Sequence, residues 1–211
     1  MADQKLSALS AATALADADL GYIEQGGVSK SASHGLKRTE LVGPGFHPLS
    51  IADLREIVSN DIPNTAATPS GGLLTSDTTP RLIRLSGATD KALMVEWVGG
   101  NVDEVQFPPV PMAPFLDEAT DVTIHLLARM SAAGDTPTID VQVFDAIGDT
   151  EMGGPTAALS STLAELTVTL ANANISGHPL GFLNIALIPG THATQLVQLF
   201  AAWMEFKRKK A

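Results

Sequence analysis

Five histidines, a run of carboxylates and two tryptophans carry most of the chemical capability of this 211-residue chain. The histidines are His34, His47, His125, His178 and His192, and none lies in an HExxH helix or in a pair with metal-ligand spacing. His178 and His192 flank turns around one predicted strand and come nearest to a metal pair. His125 falls on the polar side of its strand and reads as a solvated or interface histidine. Asp135, Asp140, Asp145, Asp149 and Glu151 gather around one strand and its loops. A calcium site would need several of those oxygens to converge with backbone carbonyls, so acidic loops are the simpler reading. No Gly-x-Ser-x-Gly elbow occurs, and Gly43-Pro44-Gly45 and Gly71-Gly72 are turn chemistry, not phosphate loops. Cysteine is absent, which removes disulfides, thiolate metal sites and a cysteine nucleophile together. Carboxylate pairs for glycoside hydrolysis would sit beside aromatic platforms, yet aromatic residues make up only 5% of the chain. The expectation is a protein that is not an enzyme and uses no cofactor and no metal.

These side chains would be carried mainly by strands. Arg81–Leu85, Lys91–Val98 and Val102–Phe107 are predicted as successive strands, with Gly99-Gly100 as a turn. Asp121–Met130 alternates, with Val122, Ile124, Leu126, Ala128 and Met130 on one side and Thr123, His125 and Arg129 on the other. Thr138–Phe144 repeats the pattern through Ile139, Val141 and Val143, and Leu163–Leu170 through Leu166, Val168 and Leu170. Phe182–Ile188 and Gln195–Phe206 are apolar on both faces, as central strands are. About eight strands with Gly- and Pro-rich turns argue for an antiparallel β-sandwich of jelly-roll kind over 81–211. Trp97 and Trp203 are expected between the sheets, with sugar stacking as the alternative.

The opening third has a different texture. Residues 1–61 are rich in Ala, Ser and Asp, with Leu6, Leu9, Leu15 and Leu20 spaced among small residues. Leu20 to Ile23, a glycine turn at Gly26-Gly27 and Val28 to Ala32 predict two short strands. Ser50 to Asn60 predicts a short amphipathic helix, with a capping-box-like start and Ile51, Leu54, Ile57 and Val58 on one face. Residues 62–80 hold three prolines, two glycines and many hydroxyls, and read as a linker whose apolar anchor is Leu73-Leu74. The domain expectation is therefore an arm with a short helix over 1–61, the linker, and the sandwich.

Charge limits the partners. The net charge is −10, and Lys207 to Lys210 form a basic tail, so the rest of the chain is more acidic still. An acidic body repels phosphate backbones, which argues against nucleic-acid binding by the folded module. No apolar run reaches the roughly 18 residues of a membrane span, and no secretory signal pattern opens the chain. Phe107-Pro108-Pro109-Val110-Pro111-Met112-Ala113-Pro114-Phe115 predicts a stiff, extended segment that cannot pair regularly. Subunit contact and crossover between sheets are equally good readings of it.

Ala16-Asp17-Ala18-Asp19-Leu20, then Tyr22-Ile23-Glu24-Gln25-Gly26-Gly27-Val28-Ser29-Lys30, then Leu36 and Leu41, resemble a short N-terminal motif of bacteriophage structural proteins. The resemblance covers residues 4–41, and Ser33-His34-Gly35 departs from it. It implies a virion location, assembly in the host cytoplasm, and an N-terminal segment docked among neighbours ahead of a displayed module. Head decoration or cement across major capsid subunits is the expected role, with other virion proteins and a self-assembled homotrimer as partners. The contact residues expected are Leu6, Leu9, Leu15, Leu20, Tyr22, Phe107, Pro108, Pro109 and Phe115. The alternative is a receptor- or glycan-binding module of a short tail fibre, with Trp97, Tyr22 and Phe144 as platforms.

Overall fold

Two glycines between short polar runs predict a hairpin, and the backbone forms one. β1 (Leu20–Gln25) pairs antiparallel with β2 (Val28–Ser33), from Leu20 opposite Ser33 to Gln25 opposite Val28, which leaves two residues to turn the chain. The computed structural model describes residues 20–25, 28–33, 44–57, 72–86, 91–112, 116–117, 119–145, 151–175 and 181–208. The chain divides into two units, residues 1–43 with 210–211, and residues 44–209. The hairpin belongs to the first.

The second unit is an antiparallel β-sandwich of jelly-roll kind. Its first sheet has six strands: β3 (Gly45–Leu49), β6 (Arg81–Ser86), β7 (Lys91–Trp97), β10 (Val122–Met130), β13 (Ala164–Leu170) and β15 (Val197–Phe206). Their order is β13-β10-β15-β7-β6, and β15 holds β7 along its beginning and β3 along its end. The second sheet has seven: β4 (Arg55–Glu56), β5 (Gly72–Leu73), β8 (Val105–Gln106), β9 (Val110–Pro111), β11 (Ile139–Phe144), β12 (Gly154–Pro155) and β14 (Phe182–Pro189). It runs β12-β11-β14-β8-β4-β5, with β9 also on β14.

Alternation builds the core between them. Ile124, Leu126, Ala128 and Met130 of β10 face Ile139, Val141 and Val143 of β11 and Leu183, Ile185 and Leu187 of β14 within one buried cluster. Trp97 lies wholly inside this cluster, and its indole N–H donates to the Asp103 carbonyl at 2.9 Å. That is the arrangement a buried tryptophan needs. It removes Trp97 from the set of sugar platforms. Gly100 turns the chain after β7 at φ +81°, where a side chain would be strained.

The structure redraws the expected boundaries. The arm was expected to end at 61, but β3 pairs with β15, and Leu49, Ile51 and Leu54 lie in the sandwich core. The expected helix over Ser50 to Asn60 is a single 3-10 turn at Ile51–Asp53 followed by β4, while 58–60 lie outside the described residues. Ile51 and Leu54 are buried as the helical spacing required, but a strand carries the chain onward. The 62–80 linker contributes β5, and Leu74 enters the core while Leu73 stays exposed. The Pro-rich segment also pairs, against expectation. Phe107 N donates to the Ile185 carbonyl at 2.9 Å and Met112 N to the Gly181 carbonyl at 2.7 Å. The non-proline residues thus supply the donors, and the prolines between them need none.

Candidate binding faces of the sandwich

Each sheet has an outer face, and the two differ in what their polar groups do. On the first sheet, Arg81 pairs with Glu96, its Nε donating to Oε1 at 2.8 Å. Glu96 is only 2% exposed, and its Oε2 accepts from Gln198 Nε2 at 2.7 Å. Gln198 Oε1 in turn accepts from Arg129 Nε at 2.9 Å, and the Arg129 guanidinium lies 5.4 Å from the centroid of Phe200. A buried carboxylate is tolerable when both of its oxygens are answered in this way. Further along the same face, His125 Nδ1 meets Glu165 Oε1 at 2.7 Å and Nε2 lies 3.4 Å from Glu205 Oε2. The imidazole stacks on Trp203, with centroids 4.9 Å apart and planes 9° off parallel.

Trp203 therefore stands on the outer face, half-buried, and not between the sheets as expected. The cause is a bulge. Between Leu127 and Ala128 of β10, the facing strand steps from Ala201 to Leu199, so Phe200 is an extra residue that shifts the alternation of β15. One face of the indole is covered by His125, and Pro48 is its register partner on the opposite flank. Phe46, 58% exposed, is the open aromatic ring of this sheet.

On the second sheet, one row crosses five strands. Gln142 of β11 stands opposite Ala186 of β14, Ala186 opposite Gln106 of β8, Gln106 opposite Arg55 of β4, and Arg55 opposite Leu73 of β5. Their register neighbours Val141, Leu187 and Val105 are core residues, so this row points outward. Phe144 and Asn184 form the adjacent row on one side, and Asp140 and Ile188 the row on the other. Ala186 gives the middle of the face a low floor between two amides. Gln142 reaches only the Asp140 carboxylate of its own strand, at 3.4 Å. The side chains of Arg55, Gln106 and Asn184 make no hydrogen bond or ion pair among the described residues.

Behind this row, Glu56 turns inward from β4 and is 4% exposed. Its carboxyl is pushed up to about 7, first by burial, then by the negative charge of Asp103 and a hydrogen bond with it. Glu104 is raised by burial as well. Asp135 goes the other way, because its carboxylate collects the backbone amides of Thr194, Ala193 and Gln195, and it clamps the turn before β15. Glu151 is raised by burial and by Asp140. No group of three or more His, Asp or Glu side chains suited to a metal ion occurs among the described residues.

A third feature is an open cleft of about 160 Å³ between β3, the 3-10 turn and the Pro-rich segment. His47, Pro48, Asp53 and residues 107–111 line it. Of the contact residues expected from sequence, Pro108 and Pro109 are exposed at this cleft. Phe107 is 2% exposed and packs into the core, so its ring holds the segment down and is not available to a partner. Leu20 and Tyr22 lie on β1, while Leu6, Leu9, Leu15 and Phe115 fall outside the described residues, as do His34, His178 and Asp149. His192 is a buried strut, with its ring nitrogens 2.9 Å from the Gly190 carbonyl and 3.1 Å from that of Val98. Of the platforms expected from sequence, Phe144 lies half-buried beside this row, and Arg55, Gln106, Gln142 and Asn184 are not legible as a group, because only the register aligns them.

No family model matches the chain, and no curated protein does. Solved structures of similar shape include a xylan-binding module, CBM15, at 11% identity and TM-score 0.47, covering 80% of this chain and 100% of that one. A second is TmCBM61 in complex with β-1,4-galactotriose, at 10% identity and TM-score 0.40, covering 61% and 81%. A third is the K3 adhesin domain of Lys-gingipain from Porphyromonas gingivalis, at 12% identity and TM-score 0.39, covering 76% and 99%. The class of this chain, an antiparallel β-sandwich, stands on its own strand pairings.

Proposed function

We propose that this chain is a non-enzymatic glycan-binding protein of a bacteriophage particle, with residues 1–43 as the attachment unit and the sandwich as the displayed module. The observation that carries the binding reading is the row Gln142–Ala186–Gln106–Arg55, beside Phe144 and Asn184, on the outer face of the second sheet. Amides both donate and accept, so they match the mixed hydroxyls of a sugar, and a half-buried aromatic ring suits its apolar C–H face. Neighbouring strands lie ~4.8 Å apart, so the row from Gln142 to Arg55 spans roughly 14 Å, the length of a short oligosaccharide. The virion location rests on the N-terminal motif and the hairpin that forms within it. A glycan array probed with the full chain tests the binding reading. Hits that Gln142→Ala removes are expected, and an array without hits would overturn it. Immunogold labelling of particles on tails supports a fibre position.

A second reading is favoured by the cleft at Pro108 and Pro109. Exposed prolines around an open cleft form a rigid surface with little side-chain entropy to lose, which suits a protein contact. Under this reading the chain is a capsid decoration protein, trimeric and bound across major capsid subunits. A trimer in solution that binds purified capsids would favour it, and a monomer that does not bind them would rule it out.

A further inference from the structure

The geometry points to a carboxylate-bearing sugar as the ligand of the second sheet's outer face, gripped at Arg55; this rests on the glycan-binding reading above. In a chain with 23 acidic and 13 basic residues, an arginine on a sheet face is expected to find a carboxylate. Arg81 and Arg129 do so directly or through Gln198, while Arg84 of β6 stands exposed to water without an ion pair among the described residues. Arg55 does not, although Glu56 is its neighbour in sequence, because alternation sends Glu56 to the opposite side of β4. It is left half-buried between Gln106 on β8 and the exposed Leu73 on β5, without an ion pair among the described residues.

A guanidinium held in this way presents a planar fork that matches a carboxylate through two parallel hydrogen bonds. Gln106, one strand away, offers a donor and an acceptor for hydroxyls on the same ring. The other end of the face has the opposite character. Asp140 lies next to the row on β11, so a second negative charge is disfavoured there. The face thus has a cation over β4 and a carboxylate, Asp140, over β11. A uronic-acid unit fits at Arg55, and uncharged hydroxyls fit over Gln142 and Asn184.

The test compares an oligosaccharide that carries one uronic-acid unit among otherwise neutral sugars with its carboxyl-reduced counterpart, which keeps the sugar chain and removes the charge. Binding to the full chain is measured by calorimetry, with melting curves confirming the fold of each variant. The wild type is expected to hold the uronic-acid oligosaccharide at least about tenfold more tightly than the reduced form. Arg55→Gln should erase that preference, and Arg55→Lys, which keeps the charge but not the fork, should restore part of it. Equal affinity for the two probes overturns the inference, and so does a preference that survives Arg55→Gln. In either case Gln142-dependent binding of the reduced probe would leave the glycan reading standing. If neither probe binds and a glycan array is blank, both fall together.

Discussion

The two outer faces of this sandwich are built from similar residue types and use them in opposite ways. On the first sheet, Arg81, Glu96, Gln198 and Arg129 form a continuous chain of hydrogen bonds, and His125 is held by Glu165 and stacked on Trp203. On the second, Arg55, Gln106 and Asn184 form no such bonds among the described residues. A donor already answered inside the protein strengthens the fold and has little to offer a ligand. A donor left to water can exchange that water for a sugar hydroxyl at small net cost. The difference separates the two faces: the first spends its polar groups on holding the sheet together, and the second leaves its own available to a ligand, as the proposed function requires.

The comparison breaks most visibly at Glu96. Glu96→Ala leaves Arg81 and Gln198 without their buried partner, so denaturant unfolding should show a loss of about 3 kcal/mol. Glycan affinity of the folded variant should stay unchanged.

Glu56 extends the contrast to pH. Its folded carboxyl is raised to about 7 from an ordinary value of 4.5, so the protonated form favours folding. The contribution is complete below about pH 4.5 and is lost as pH rises through 7, by up to about 3 kcal/mol. Melting curves between these limits should show the decline in the wild type, while Glu56→Gln, neutral throughout, should flatten it. A smaller effect is expected at Trp203. Trp203→Ala removes the stack with His125 and should cost about 2 kcal/mol in unfolding experiments, again without loss of glycan binding.

Much of this architecture is legible in the sequence, and the boundary of legibility is physical. β11 and β13 alternate cleanly because one side of each faces the core, β10 does so apart from buried His125, and the bounds of all three lie within a residue or so of those expected. β4, β5, β9 and β12 have two residues each, too short for any period to register. That is why β4 reads as part of a helix and β5 as part of a linker. Trp203 reads as a core residue from sequence but stands on the outer face, because a bulge at Phe200 reverses the alternation of β15 and no residue in the strand announces it. The candidate site suffers most from this limit. Gln142, Ala186, Gln106 and Arg55 come from four separate strands and meet only through pairing register, which the sequence of any one strand does not encode.

The central claim is that the second face binds and the first face supports. It is tested most directly by measuring glycan affinity for two variants side by side, Gln106→Ala with Gln142→Ala in one chain and Trp203→Ala in the other. The account predicts a roughly 30-fold loss of affinity in the first, with stability within about 0.5 kcal/mol of wild type, and unchanged affinity in the second. Binding that survives in the double variant and disappears with Trp203 would contradict it.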